Sequence, residues 1–238
     1  MKIEFPNGDA TIRGHLETAA ATGPAPAVVL IPDVRGLYAH FTEVAKRFAD
    51  EGFTTLALDP YSREGTPDLP DMESVFSWLA ALPDKRVIDD VRAAVAYLAG
   101  RTDVDASRIG VTGFCMGGQY ALISACRVAG IAAAVSWYGM LRYDRTSETK
   151  PESALDAAPD LACPYLGFFG AEDELIPVAD VDKLREILVG VRHETEVRVY
   201  DGAGHAFFND TRPEMYRPEA AADSWRRAIE FFSRHLGR

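Results

Sequence analysis

Only three cysteines occur in 238 residues, Cys115, Cys126 and Cys163, and none stands in a CxxC or zinc-ligand spacing. So sparse and odd a set argues against a disulfide framework and suits a reducing compartment, so a cytoplasmic location is expected. Nowhere do about eighteen apolar residues run together, and Met1 to Pro6 carries no apolar targeting core, so neither a membrane-spanning helix nor a signal peptide is expected. Basic residues are also in short supply. Twenty-five of them against 36 acidic ones leave a net charge of −11, a field that repels nucleic acid and anionic lipid. The expected partner is a small molecule, with the chain itself a monomer or homodimer. No repeat or low-complexity tract divides the sequence, and single cores stop growing at about 250 residues, so residues 1–238 are expected to form one domain.

What is present is an alternation of apolar runs and amphipathic stretches. Two short runs, Lys2 to Phe5 and Thr11 to Glu17, flank Asn7-Gly8-Asp9 and predict an antiparallel hairpin. The continuous run Ala27 to Ile31 predicts a parallel strand covered on both faces. Further strands are expected at Thr54 to Leu58, Ile109 to Thr112, Ala132 to Trp137, Tyr165 to Phe169 and Glu194 to Tyr200. Helices are expected near 38–50, 84–99, 117–126, 178–189 and 216–235. This is the pattern of a mostly parallel sheet with helices on both faces. Two polar, Pro-bearing stretches, Tyr61 to Pro83 and Leu141 to Pro164, are expected to be long loops that wall a substrate site.

One segment carries chemistry. The strand Ile109 to Thr112 runs directly into Gly113-Phe114-Cys115-Met116-Gly117, a G-x-S-x-G nucleophile elbow with cysteine in the serine position. Its sharp turn demands small residues two before and two after the nucleophile, and it sets Cys115 at a helix N-terminus, where a thiolate is favoured. The N–H of Met116 would be one oxyanion donor and that of Val34, in the loop after Ile31, the second. Cys126 and Cys163 read as inert packing residues. Chain order in this kind of site is nucleophile, acid, histidine. His205 lies in a glycine-rich loop after the last strand, and Asp173 follows the strand ending at Phe169, so the expected triad is Cys115, Asp173 and His205. Glu172 and Glu174 compete with Asp173, and His40, beside the oxyanion loop, is a lesser candidate for substrate contact.

At these residues the chain resembles the dienelactone hydrolase family, the carboxymethylenebutenolidases, of the α/β-hydrolase superfamily. The likeness runs from Val28 to about Phe232 and rests on Gly-Phe-Cys-Met-Gly-Gly (113–118), Leu58-Asp59-Pro60-Tyr61, Gly170 with Asp173, and Gly202-Ala203-Gly204-His205-Ala206-Phe207. It implies the α/β-hydrolase fold and a Cys–His–Asp triad that opens an enol-lactone through an acyl-thioester, without metal or cofactor. Two positions depart from the pattern. Asp33 stands where the family has a glutamate that helps to ionise the thiol, and Asn209 stands where it has an arginine that binds the substrate carboxylate. A neutral amide does not replace a bidentate cation. Arg35 or Arg63 could supply the clamp, so Asp33, Arg35 and Asn209 are the expected substrate-contacting residues.

The expected activity is hydrolysis of activated esters or lactones, with phosphotriesters as a conceivable side reaction. Two rivals stand beside it: a redox or electrophile-reactive thiol protein that does not turn over, and a non-catalytic binding module.

Overall fold

The computed structural model describes residues 1–143 and 145–237. Its centre is built by the most apolar runs: β3 (Ala25–Ile31), β4 (Thr54–Leu58), β6 (Ala133–Trp137) and β7 (Tyr165–Gly170) are buried along their whole lengths. Such strands fit only the interior of a sheet covered on both faces. With β1 (Lys2–Asn7), β2 (Ala10–Glu17), β5 (Val104–Phe114) and β8 (Thr195–Tyr200) they form one sheet in the order β1-β2-β4-β3-β5-β6-β7-β8. The expected hairpin is antiparallel and joins β4 antiparallel; every later pairing is parallel.

Helices α1 (Ala39–Asp50), α3 (Asp84–Ala99), α4 (Met116–Arg127), α6 (Val178–Leu188) and α7 (Pro218–Leu236) fall where the 3.6-residue periodicity places them. In α7 the buried stripe Ala221, Ser224, Ala228, Phe231 and Phe232 alternates with charged residues such as Arg226 and Glu230, which pair one turn apart at 2.8 Å. Phe232 packs against Phe48 of α1 with ring centroids 6.0 Å apart, joining these two helices.

The two expected long loops are more structured than their composition suggests. Within Tyr61 to Pro83 lies α2 (Met72–Ala81), started by Asp71, whose side chain accepts the Ser74 N–H at 2.8 Å. No residue of α2 is fully buried; Val75, Trp78 and Leu79 are half-buried against the core. Leu141 to Pro164 contains a short helix α5 (Ala154–Ala157), closed at its start by a Ser153–Asp156 capping box and followed by a 3₁₀ turn. Buried Lys150 pins this segment by donating to Asp84 Oδ1 at 2.8 Å and to the Tyr120 hydroxyl at 2.7 Å. Strand β5 also starts five residues earlier than its apolar run, because its polar first half pairs at Val104 with Ala25 before the buried half begins.

Candidate active site

The order of strands reverses between β3 and β5, and at such a switch point two connections leave in opposite directions and open a crevice at the strands' carboxyl ends. Ile31, at the end of β3, is in register with Gly113 of β5, so the Asp33 loop and the elbow emerge side by side. Cys115 is held at φ 55°, ψ −118°, a region non-glycine residues rarely enter and one that costs about 1–3 kcal/mol. The surroundings enforce this. A Cβ on Gly113 would lie 2.0 Å from the Gly117 carbonyl oxygen, and a Cβ on Gly117 would lie 2.0 Å from that of Ile31. Below the turn Phe114 stacks on Trp137 at 4.5 Å and touches Phe208 at 5.2 Å and Phe41 at 5.5 Å. Cys115 N–H donates to the Trp137 carbonyl at 3.0 Å. The sulfur is thus presented by a rigid base.

The acid and the histidine arrive from neighbouring strands. Asp173 follows β7 with its side chain wholly buried; Oδ1 accepts the Leu175 N–H at 2.9 Å and Oδ2 meets His205 Nδ1 at 2.8 Å. Glu172 and Glu174 are exposed, which resolves the competition in favour of Asp173 as the histidine's partner. His205 follows β8, and the ring of Tyr138 lies edge-on to it at 5.2 Å. Burial pulls the imidazole pKa down, but the charge of Cys115 and the bond to Asp173 outweigh it and raise the value to about 10. Cys115 raises the imidazole pKa both by its charge and as a hydrogen-bonding side chain, in a geometry looser than that of the Asp173 bond.

The remaining residues separate into those at the site and those outside it. Val34 is buried and its N–H has no acceptor among the described residues, while Met116 N–H lies in the first turn of α4, where helices leave donors unpaired. Asp33 is 7% exposed; Oδ1 accepts the Arg35 N–H at 2.9 Å and Oδ2 the Tyr38 hydroxyl at 3.1 Å. Burial raises its pKa above the usual carboxylate value, opposed by those two bonds and by the charges of Arg35 and Arg212. Asn209 is 2% exposed and its amide is already engaged, Nδ2 donating to the Tyr38 hydroxyl and Oδ1 accepting from Thr211. The Arg35 side chain is exposed and has no ion pair among the described residues. Arg63 is withdrawn from the site by a two-point pair with Asp90 at 2.7 and 2.8 Å. His40 turns to Asp210 at 3.2 Å, and Cys126 and Cys163 are pushed up to about 12 by burial, as befits packing thiols.

Two contributors had no sequence signal. Arg212 acts electrostatically on both Asp33 and Tyr138, seven positions beyond His205, and pairs loosely with Glu214 at 3.4 Å. Helix α2 lends Met72 to a cleft of about 360 Å³ beside His205 and Leu175. Further along α2, Phe76 and Leu79 wall a second cleft of about 520 Å³ with Gln119 and Met140. Among the described residues no cluster of His, Cys, Asp and Glu has the makings of a metal site, and no helix is long and apolar enough to cross a membrane.

A mostly parallel sheet that delivers a strand–turn–helix elbow at its switch point, with an acid after β7 and a histidine after β8, is an α/β-hydrolase. Residues 12–236 match the model of the dienelactone hydrolase family, and the chain belongs to that family. It is 34% identical over 236 residues to a protein of Methylorubrum extorquens named "Putative carboxymethylenebutenolidase", covering 98% of this chain and 80% of that one. A crystal structure from Klebsiella pneumoniae, titled as a "Putative Dienelactone Hydrolase", superimposes with a TM-score of 0.92 at 31% identity, covering 98% of this chain and 97% of the other. A dienelactone hydrolase-like promiscuous phosphotriesterase from metagenomic libraries superimposes with a TM-score of 0.84 at 26% identity, covering 99% and 97%.

Proposed function

We infer that the protein is a cysteine-dependent hydrolase of activated carboxylic esters and lactones, with Cys115 as nucleophile, His205 as acid and base, and Asp173 as the group that orients the imidazole. The observation that carries this is the buried Asp173–His205 bond at 2.8 Å, set against a strained cysteine whose charge is felt by the same imidazole. That Nδ1 contact leaves Nε2 to exchange protons at the sulfur side.

In the proposed cycle His205 holds the thiol proton and the Cys115 sulfur attacks the carbonyl carbon. The Val34 and Met116 N–H groups take the oxyanion. Collapse breaks the C–O bond, and the leaving oxygen receives its proton from His205. For a lactone the leaving group stays tethered as an enol. Water then gives a proton to His205 and its oxygen to the thioester carbon, and the carboxylic acid departs as sulfur regains the proton. Asp33, whose charge reaches the same phenols of Tyr61 and Tyr138 as that of Cys115, assists thiol ionisation. Arg212 and Arg35 are the cations placed to meet a substrate carboxylate. Likeness to a promiscuous phosphotriesterase supports a second, slower use of the nucleophile on activated phosphotriesters.

Steady-state hydrolysis of a short aryl ester, with intact-mass detection of an acyl adduct, tests the reading. Turnover with a trapped adduct on Cys115 is expected, and Cys115→Ala abolishes both. Full turnover in Cys115→Ser overturns the cysteine mechanism, and a single stoichiometric burst without turnover supports the reactive-thiol rival.

A further inference from the structure

Asp33 and Asn209 are separated by 176 positions, yet Tyr38 joins them. Asn209 Oδ1 accepts from both the N–H and the hydroxyl of Thr211, at 3.1 and 2.7 Å, which fixes the amide so that Nδ2 is the end facing Tyr38. Nδ2 donates to the Tyr38 oxygen at 2.8 Å. That oxygen is therefore an acceptor on one side, and its own proton is free to be given to Asp33 Oδ2, 3.1 Å away. The chain of bonds has one direction only. Its far end is tied to the histidine loop, since Asn209 N–H donates to the Ala206 carbonyl at 2.9 Å.

We propose that Asn209 and Tyr38 are positioning residues for hydrolysis, a one-way hydrogen-bond relay that runs from the His205 loop to Asp33 and keeps its carboxylate ionised and fixed on the loop beside the elbow. The proposal rests on the reading of Cys115 as nucleophile. A carboxylate buried to this degree needs donors to both oxygens: the Arg35 N–H serves Oδ1, and Oδ2 depends on the Tyr38 hydroxyl. The charged and titratable groups that act on it or feel its charge are Arg35 and Tyr38 on its own loop, Tyr61 after β4, Tyr138 after β6 and Arg212 after β8; the two phenols Tyr61 and Tyr138 also feel the charge of Cys115. Of these, Tyr38 alone bonds it through a side chain. Burial and the Asp33 charge hold the Tyr38 phenol well above its ordinary pKa, so its proton stays in place across the working range.

The test is the pH profile of kcat/KM for a neutral aryl ester in Tyr38→Phe, which keeps the ring packed edge-on against Phe41 at 5.2 Å. Losing a donor to the ionised form moves the acid limb upward in pH. Activity at pH 6 falls about five- to tenfold, matching a shift of somewhat under one unit, and converges on the parent above pH 8. Asn209→Leu, which cuts the relay at its far end, moves the limb in the same direction. In Asp33→Asn that limb is gone, and adding Tyr38→Phe changes nothing further. An unmoved limb in both Tyr38→Phe and Asn209→Leu overturns the relay, as does a Tyr38→Phe loss that persists undiminished in Asp33→Asn. Cys115→Ala, assayed beside them, isolates the premise: its retained turnover defeats the reading of Cys115 as nucleophile, whereas an inactive Cys115→Ala with an unmoved Tyr38→Phe profile defeats the relay alone.

Discussion

Removing the sulfur should change the proton affinity of the histidine more than any other single change at the site. His205 is raised to about 10 against the downward pull of burial, and the charge of Cys115 is the largest of the raising causes, ahead of the Asp173 bond. In Cys115→Ala the desolvation remains and only Asp173 opposes it. The imidazole pKa should then fall by about two units or more, each unit corresponding to about 1.4 kcal/mol of differential interaction. The sign of the stability effect follows. A histidine raised on folding contributes stability that is fully present below its unfolded pKa, about 6.5, and is lost as pH climbs through about 10. Because the charge that raises His205 belongs to a thiol that has itself given up a proton, the folded pair holds more protons than the unfolded chain only above the ordinary thiol pKa of about 8.5. The parent should therefore lose stability mainly between about pH 8.5 and 10, and Cys115→Ala less over that span. Imidazole resonances followed by two-dimensional NMR give the pKa, and urea melts at stepped pH give the stability. A His205 that still titrates near 10 in Cys115→Ala, or identical stability profiles, would refute the coupling of these two groups.

Three further outcomes follow from the same geometry. Asp173→Asn keeps the shape but removes the charge at 2.8 Å from His205, and kcat for an aryl ester should fall about 10²–10⁴-fold with little change in KM, measured by steady-state kinetics. Gly117→Ala places a methyl 2.0 Å from the Ile31 carbonyl oxygen, so the variant should lose about 3 kcal/mol or more in denaturant melts, or fail to fold. Phe76→Ala on α2, where the ring is 42% exposed, should alter stability by no more than about 0.5 kcal/mol while raising KM several-fold for bulky aryl esters over acetyl esters.

The features legible in the sequence are those whose cause is local. Gly113 and Gly117 announce the elbow because its sterics act over five residues, and the buried strands announce themselves because both of their faces are covered. His205 was legible from its glycine-rich loop after a strand. Helix α2 was not, since its apolar residues Val75, Trp78 and Leu79 lie within a polar stretch bounded by Pro70 and Pro83 that reads as loop; its start is marked by Asp71 three residues before Ser74, a cap of ordinary appearance. The tie between Tyr38 and Asn209 spans 171 positions, and no spacing rule reaches that far. Asn209 stands at an expected substrate position, but its amide is spent on Tyr38 and Thr211, and the cations whose charge reaches Asp33 are Arg35 and Arg212, the latter three residues on.

Gly117 seated on the carbonyl of Ile31 has a consequence for how such an enzyme can change. The elbow and the loop after β3 are pressed backbone to backbone, so neither can drift to suit a new substrate without dislodging the other. Adaptation is pushed outward to α2, which borders both clefts and has no fully buried residue. A library confined to the exposed Met72 and Phe76 would sample substrate range while the fold stands apart from the outcome, an economy that few positions around the elbow itself allow.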